Sequence, residues 1–279
     1  MKSFYAVCIY GRGHVIAFNR VRGFHDGIDH ATYGMPDNYP NIPPERLPVS
    51  IDIYNNDVSV VHDNCFEADA SVLNVRIMYN RCFNAPLGAM SPQPVLGEPV
   101  YFIRNVVYNA WWGPVKIHAE PSGVYYLNNA FIGEFRQLTP MSNLHLYNNL
   151  LLGQGTAERV LSVDTFTNYS SSDYNGFRPN PGAGESFAWN SAPFQETRNF
   201  YPERRSSPQG AAVRLVQRSF PTLAAYSQAT NQDRHSRLVD YDIFLKAPTP
   251  DFSDPTRVVS VDSVDLRLRE GTVAIDAGV

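Results

Sequence analysis

Between Phe24 and His118 the chain carries carboxylates, imidazoles, a lysine and a pair of indoles at spacings that could support chemistry on a polymer. One stretch holds His25, Asp26, Asp29 and His30, the next His62, Asp63, Glu67 and Asp69, and later ones Gln93, Trp111, Trp112, Lys116 and His118. Carboxylates held close together repel one another and need a counter-ion or a shared proton. Three readings follow. The first is turn chemistry, with Asp residues solvated at bends. The second is Ca2+, which takes about six to eight oxygen ligands in flexible geometry and suits a cluster of carboxylates on adjacent repeats. The third is acid–base catalysis by a carboxylate pair, as in glycoside hydrolysis, with Glu67 and one of Asp69, Asp63 or Asp29.

What positions these residues is a repeat. The phrases SIDIYNNDVSV, NVRIMYNRCFN, PVYFIRNVVYN, GVYYLNNAFIG and NLHLYNNLLLG place Asn56, Asn80, Asn105, Asn129 and Asn149 in one register, at steps of 24, 25, 24 and 20 residues. Val58, Cys82, Val107, Phe131 and Leu151 stand two residues later. A period in the twenties with two-residue alternation inside each copy marks a solenoid, whose units bury their apolar face only by stacking. Asn tolerates turn geometry and its amides can bond up and down a stack, so the asparagine column is scaffold rather than site. Counting from it, Glu67, Ser91 and Lys116 fall eleven residues on and Asp69, Gln93 and His118 thirteen on. Positions two apart in a strand share a face, so these six side chains are expected to form one patch.

A further copy of the phrase surrounds Asn19, and the step from there to Asn56 is 37 residues. The excess, 31–48, is rich in Pro and turn formers and reads as a loop thrown out of the coil. The repeat runs to about 177. Beyond it, 178–279 reads as an extension packed on the coil, with irregular covering structure over 178–207, a short helix near Thr222–Ala229 capped by Thr222 and Asn231, and an alternating final strand. Both ends look uncapped, and the start resembles the middle of a repeat with no signal core, so the chain reads as a fragment.

The composition is that of a folded β-rich protein: 18% charged, 13% aromatic, net charge -4 and pI near 6.0. The acidic balance argues against nucleic acid, and no apolar run is long enough for a membrane helix. Cys8, Cys65 and Cys82 lack metal-binding spacing and read as three buried thiols. No Ser-His-Asp order, phosphate loop or zinc spacing is evident.

The repeated Asn phrase, the SSDYNGF segment and the later FPTLAAYSQATNQDRHS and LREGTVAIDAG stretches together resemble the right-handed parallel β-helix superfamily, the pectate-lyase-like proteins. That resemblance implies an all-β solenoid, a secreted, periplasmic or cell-surface location, a polysaccharide partner and a monomer. Lyases of this superfamily combine acidic Ca2+ ligands with a Lys or Arg base, and the resemblance implies Asp63, Glu67 and Asp69 as the ligands here. Here Lys116 or His118 would be the base of a β-elimination on a uronate polymer, beside Glu67 and Asp69. Arg81, Arg104, Gln93 and His30 would bind substrate, with Trp111 and Trp112 stacking on sugar rings. Lys116 could equally form a salt bridge to Glu67 or Asp69. The superfamily also holds glycoside hydrolases and non-catalytic binding modules, and both remain open, because fold does not fix function.

Overall fold

The computed structural model describes residues 4–30, 43–95, 97, 99–194, 215–254 and 256–278. Positions 31–42 of the expected inserted loop and 195–207 of the expected covering segment lie outside them. The described chain is all-β apart from one α-helix and short 3-10 turns.

Each repeat adds one strand to each of two long parallel sheets. A seven-stranded sheet stacks Val15–Ala17, Val49–Tyr54, Leu73–Met78, Val100–Ile103, Ser122–Leu127, Ser142–Tyr147 and Ser171–Asp173 in sequence order. An eight-stranded sheet stacks Arg20–Arg22, Asp57–Ser59, Arg81–Phe83, Val106–Tyr108, Ala130–Ile132, Leu150–Leu152, Gly176–Arg178 and Arg237–Leu238. A third parallel sheet, Tyr5–Cys8, Asp26–Asp29, Phe66–Glu67 and Met90–Ser91, lies on another face. Isolated bridges Met90 to Val115, Ile117 to Gln137 and Phe135 to Leu161 carry that face onward. It continues in Leu161–Thr165, paired in parallel with Phe187–Ser191. This arrangement is compatible with a parallel β-helix.

Two-residue alternation sorts the side chains. Ile51, Ile53, Val75, Ile77, Val100, Phe102, Val124, Tyr126, Leu144 and Leu146 are buried, and so are Val58, Cys82, Val107, Phe131 and Leu151 beyond the asparagines. In the eight-stranded sheet the outer face is covered as well. Phe83, Tyr108, Ile132 and Leu152 pack against Tyr241, Ile243 and Phe244 of the C-terminal segment, which is why runs such as VVY and LLL are apolar on both faces.

The asparagine column forms a continuous hydrogen-bond ladder. The Asn105 Oδ1 accepts both the main-chain N–H of Asn80 (3.0 Å) and its Nδ2 (3.2 Å), and Asn105 Nδ2 donates to Ile77 O (2.8 Å) and to Asn129 Oδ1 (3.1 Å). The same pattern joins Asn19 to Asn56, Asn56 to Asn80, Asn129 to Asn149 and Asn149 to Asn175. Asn175, 26 residues beyond Asn149, extends the column past the clear repeat. The residue before each ladder Asn is left-handed: Phe18, Asn55, Tyr79, Arg104, Asn128, Asn148 and Tyr174 have φ between 52° and 59°.

The far end of the ladder is closed. Ser236 Oγ accepts the Asn175 N–H (2.7 Å), and the buried Asp233 carboxylate accepts Asn175 Nδ2 (2.9 Å), Ser236 Oγ (2.6 Å) and the Tyr226 hydroxyl (2.9 Å). Tyr226 comes from the single helix, Leu223–Thr230, capped by Thr222 Oγ1 and by a left-handed Asn231, as its sequence signals suggest. The end that reads as uncapped in sequence is therefore capped from within the chain. The final alternating stretch is not a closing rung: Asp265–Leu268 pairs antiparallel with Phe244–Lys246. Within the covering segment, Phe187–Ser191 is a regular strand.

The cysteine expectation needs correction. Cys65 and Cys82 form a disulfide across a sequence separation of 17 and join one repeat to the next, leaving Cys8 as the cysteine outside a disulfide among the described residues. Spacing hides the pair because the coil, not the local chain, brings the two together. Loss of this bond by Cys82→Ala is expected to lower stability by about 3 kcal/mol, the loop-closure value for its length, read as a shifted urea midpoint. Asn105→Ala would take the acceptor from the Asn80 main-chain N–H and from one of its two amide hydrogens, and a donor from the Ile77 carbonyl, costing about 3 kcal/mol or more. Asn19→Ala, at the exposed start of the ladder, should cost under about 1 kcal/mol in the same titration.

Candidate functional site

The strand register confirms the column counted from the sequence. Ile28 lies opposite Phe66 and Phe66 opposite Met90, so Asp29, Glu67 and Ser91 are neighbours, and the bridge from Met90 to Val115 sets Lys116 beside Ser91. Ile28, Phe66, Met90 and Val115 point into the core and are fully buried. Alternation then sends the acids to the opposite face.

That face is less open than an exposed patch. Asp29 is fully buried and Glu67 is 7% exposed. Asp69 is anchored by Ser91 Oγ (2.7 Å) and by the main-chain N–H of Gln93 (2.9 Å), which accounts for Gln93. Lys116 does not pair with Glu67 or Asp69. Its Nζ donates to both oxygens of Asp63 (2.8 and 2.9 Å) and approaches Asn64 Oδ1 (3.5 Å). Beside this pair, His25 Nδ1 meets the Asp26 carboxylate at 3.0 Å, and the His25 ring lies 4.8 Å from that of His62. His118 is exposed, two residues beyond Lys116.

The electrostatics follow from this packing. Burial, then the charges of Asp69, Asp29, Asp26 and Asp63, push the Glu67 carboxyl far above the usual carboxylate range. Burial also raises Asp69, against the pull of its bonds to Ser91 and Gln93. Asp26 is raised by burial more than His25 lowers it. The cluster thus holds protonated acid at neutral pH beside the Asp63–Lys116 ion pair. It contains the two kinds of carboxyl group that acid–base catalysis needs.

The expected Ca2+ ligands do not fit that ion as they stand. Both Asp63 oxygens face Lys116 and one Asp69 oxygen is taken by Ser91 and Gln93. Among the described residues no group of three or more His, Cys, Asp or Glu side chains is disposed to hold a metal. His30, expected to bind substrate, is fully buried near Ser71 Oγ (3.4 Å), and burial lowers its pKa to about 4, so it is neutral.

Two expected binding residues lie elsewhere. Arg81 is on the eight-stranded sheet and pairs with Asp57 (2.7 Å). Arg104 occupies the left-handed turn before Asn105, with its guanidinium 5.7 Å from the Tyr79 ring. The tryptophans divide. Arg136 stacks at 4.0 Å on Trp112, which is half-buried, whereas Trp111 is 45% exposed and lines a cavity of about 380 Å³ with Phe24 and His62.

Sequence reasoning missed Asn64 beside Lys116, and Glu134, a fully buried acid. Glu134 receives the N–H groups of Gln154, Gly155 and Thr156, the Thr156 hydroxyl and Asn180 Nδ2, which makes it a structural anchor. Comparison with protein families, with curated proteins and with solved structures finds no match to this chain.

A raised native pKa means that ionising Glu67 opposes folding. Its contribution is fully present below the unfolded carboxylate pKa, near 4.3, and is lost as pH rises toward the native value. Glu67→Gln is therefore expected to melt at the same temperature as the parent below about pH 4 and at a higher temperature at pH 7. A variant less stable at pH 7 would show that Glu67 is a structural anchor like Glu134.

Proposed function

We propose that the chain is a right-handed parallel β-helix of the pectate-lyase-like kind that cleaves glycosidic bonds of a polysaccharide by hydrolysis outside the reducing cytosol. The observation that carries the chemistry is the pairing of a buried carboxyl, Glu67, held neutral among other acids, with Asp63, held against the Lys116 ammonium. The stacked parallel sheets and the asparagine ladder support the fold. The Cys65–Cys82 disulfide supports an oxidising compartment.

In this reading Glu67 gives its proton to the leaving glycosidic oxygen as the C–O bond breaks. Asp63 takes a proton from the water whose oxygen bonds to the sugar carbon. Lys116 positions Asp63, and Asp69, fixed by Ser91 and Gln93, keeps Glu67 protonated. The elimination suggested by the resemblance fits this arrangement less well. Lys116 already donates to both oxygens of Asp63, so its ammonium is committed and is free neither to act as base nor to neutralise a uronate carboxylate, a need that a neutral glycan does not have.

Incubation with a panel of neutral and uronate polysaccharides is expected to release reducing ends without a rise in ultraviolet absorbance. Glu67→Gln and Asp63→Asn should each lower kcat by about 10²–10⁴-fold. A rise in absorbance would instead show an unsaturated product and elimination, with His118 or Lys116 as base. Binding without any cleavage would identify a non-catalytic module.

A further inference from the structure

The cavity of about 380 Å³ beside Trp111 is walled on its far side by the C-terminal segment, including Phe252, Asp254, Arg257 and Val258. Its size falls in the range of roughly 300–1,000 Å³ used by small-molecule sites. Its walls are fixed before any ligand arrives. Asn109 Nδ2 donates to Asn84 Oδ1 (2.7 Å) and to Arg257 O (3.3 Å), while Asn84 exchanges hydrogen bonds with the main chain of Val259 (2.9 and 3.0 Å). Such preorganisation lowers the ordering cost of binding.

The lining combines an aromatic face with balanced charge. Trp112 lies under Arg136, whereas among the described residues no ring or guanidinium stacks on Trp111. Arg257 is paired with Asp251 (2.9 Å) and stands beside Asp254, whose Oδ1 holds the Thr256 N–H and hydroxyl. With its cation already matched by acid, the rim offers hydrogen bonds without net attraction for an anion. The cavity also leads to the acidic cluster: His62 lines it, His62 lies against His25, and His25 bonds Asp26.

We propose that this cavity is a sugar-binding subsite that takes a neutral mono- or disaccharide unit, with Trp111 as its stacking platform, and that the bound chain runs past His62 toward Glu67 and Asp63. The proposal deepens the hydrolase reading and rests on it for the glycan class.

The test titrates cellohexaose, xylohexaose and mannohexaose, with trigalacturonate as the anionic control, into the Glu67→Gln variant, whose turnover is slowed by about 10²–10⁴-fold. Calorimetry and tryptophan fluorescence report binding. At least one neutral hexasaccharide should bind more tightly than trigalacturonate, and Trp111→Ala should raise its Kd about tenfold or more. Val258→Trp, which fills the cavity from the opposite wall, should have the same effect with the fold retained by circular dichroism. In the active protein Trp111→Ala should raise KM with little change in kcat. Binding unaffected by both variants, preference for trigalacturonate, or no binding of any neutral probe would overturn the subsite. Hexasaccharide binding through Trp111 in a protein that cleaves nothing would leave the subsite standing and remove the hydrolysis; cleavage with an unchanged KM in Trp111→Ala would do the reverse.

Discussion

Each turn between the two long sheets hangs on one asparagine, and from Asn56 to Asn149 the four hydrogen-bonding capacities of that side chain are consumed by its neighbours in the stack. A ladder Asn receives a main-chain N–H and a side-chain amide from the preceding repeat. It returns one amide hydrogen to a carbonyl of that repeat and sends the other forward. This offsets a local conflict. Each preceding residue, Tyr79 and Arg104 among them, is forced into left-handed backbone geometry, which costs a non-glycine residue about 1–2 kcal/mol. A buried polar side chain satisfied on all sides specifies one register, because a one-residue slip would break every rung at once.

That register decides what happens on the short-stranded sheet. Stacking holds equivalent residues about 4.8 Å apart, so acids at the same position in successive repeats cannot move away from one another. Asp29 and Glu67 are such a pair, with Asp69 two residues along. Burial first, and then the acids held beside it, drive Glu67 to take up a proton, so the scaffold that buries the acids together creates a protonated carboxyl.

The buried carboxylates separate into two kinds. Glu134 is surrounded by N–H and hydroxyl donors, and Asp233 closes the ladder by accepting from Asn175, Ser236 and Tyr226. Both hold backbone in place. Glu67 has acids for neighbours instead, an arrangement that works against stability. In the proposed hydrolysis this is the stability–function trade-off of a working site. The ion pair of Asp63 with Lys116 stands four residues away in the sequence, and in the proposed hydrolysis it supplies the complementary group.

Sequence by itself determined the repeat, the inward apolar positions, the ladder and the columns that hold Glu67, Ser91 and Lys116, because alternation and a constant period are properties of the chain read one residue at a time. The short helix and both its caps were legible for the same reason. What only the tertiary structure decided depends on stacking across repeats. Cys65 meets Cys82, Lys116 reaches Asp63 rather than Glu67, His30 is buried, Arg81 and Arg104 fall on other faces, and Asp233 closes the ladder from 58 residues beyond Asn175. Exposure, too, was set by what packs on top: Arg136 covers Trp112, and the chain leaves Trp111 open beside a wall built by its own C-terminal segment. Periodicity specifies which residues share a column, whereas side-chain reach and the covering segments specify which of them meet.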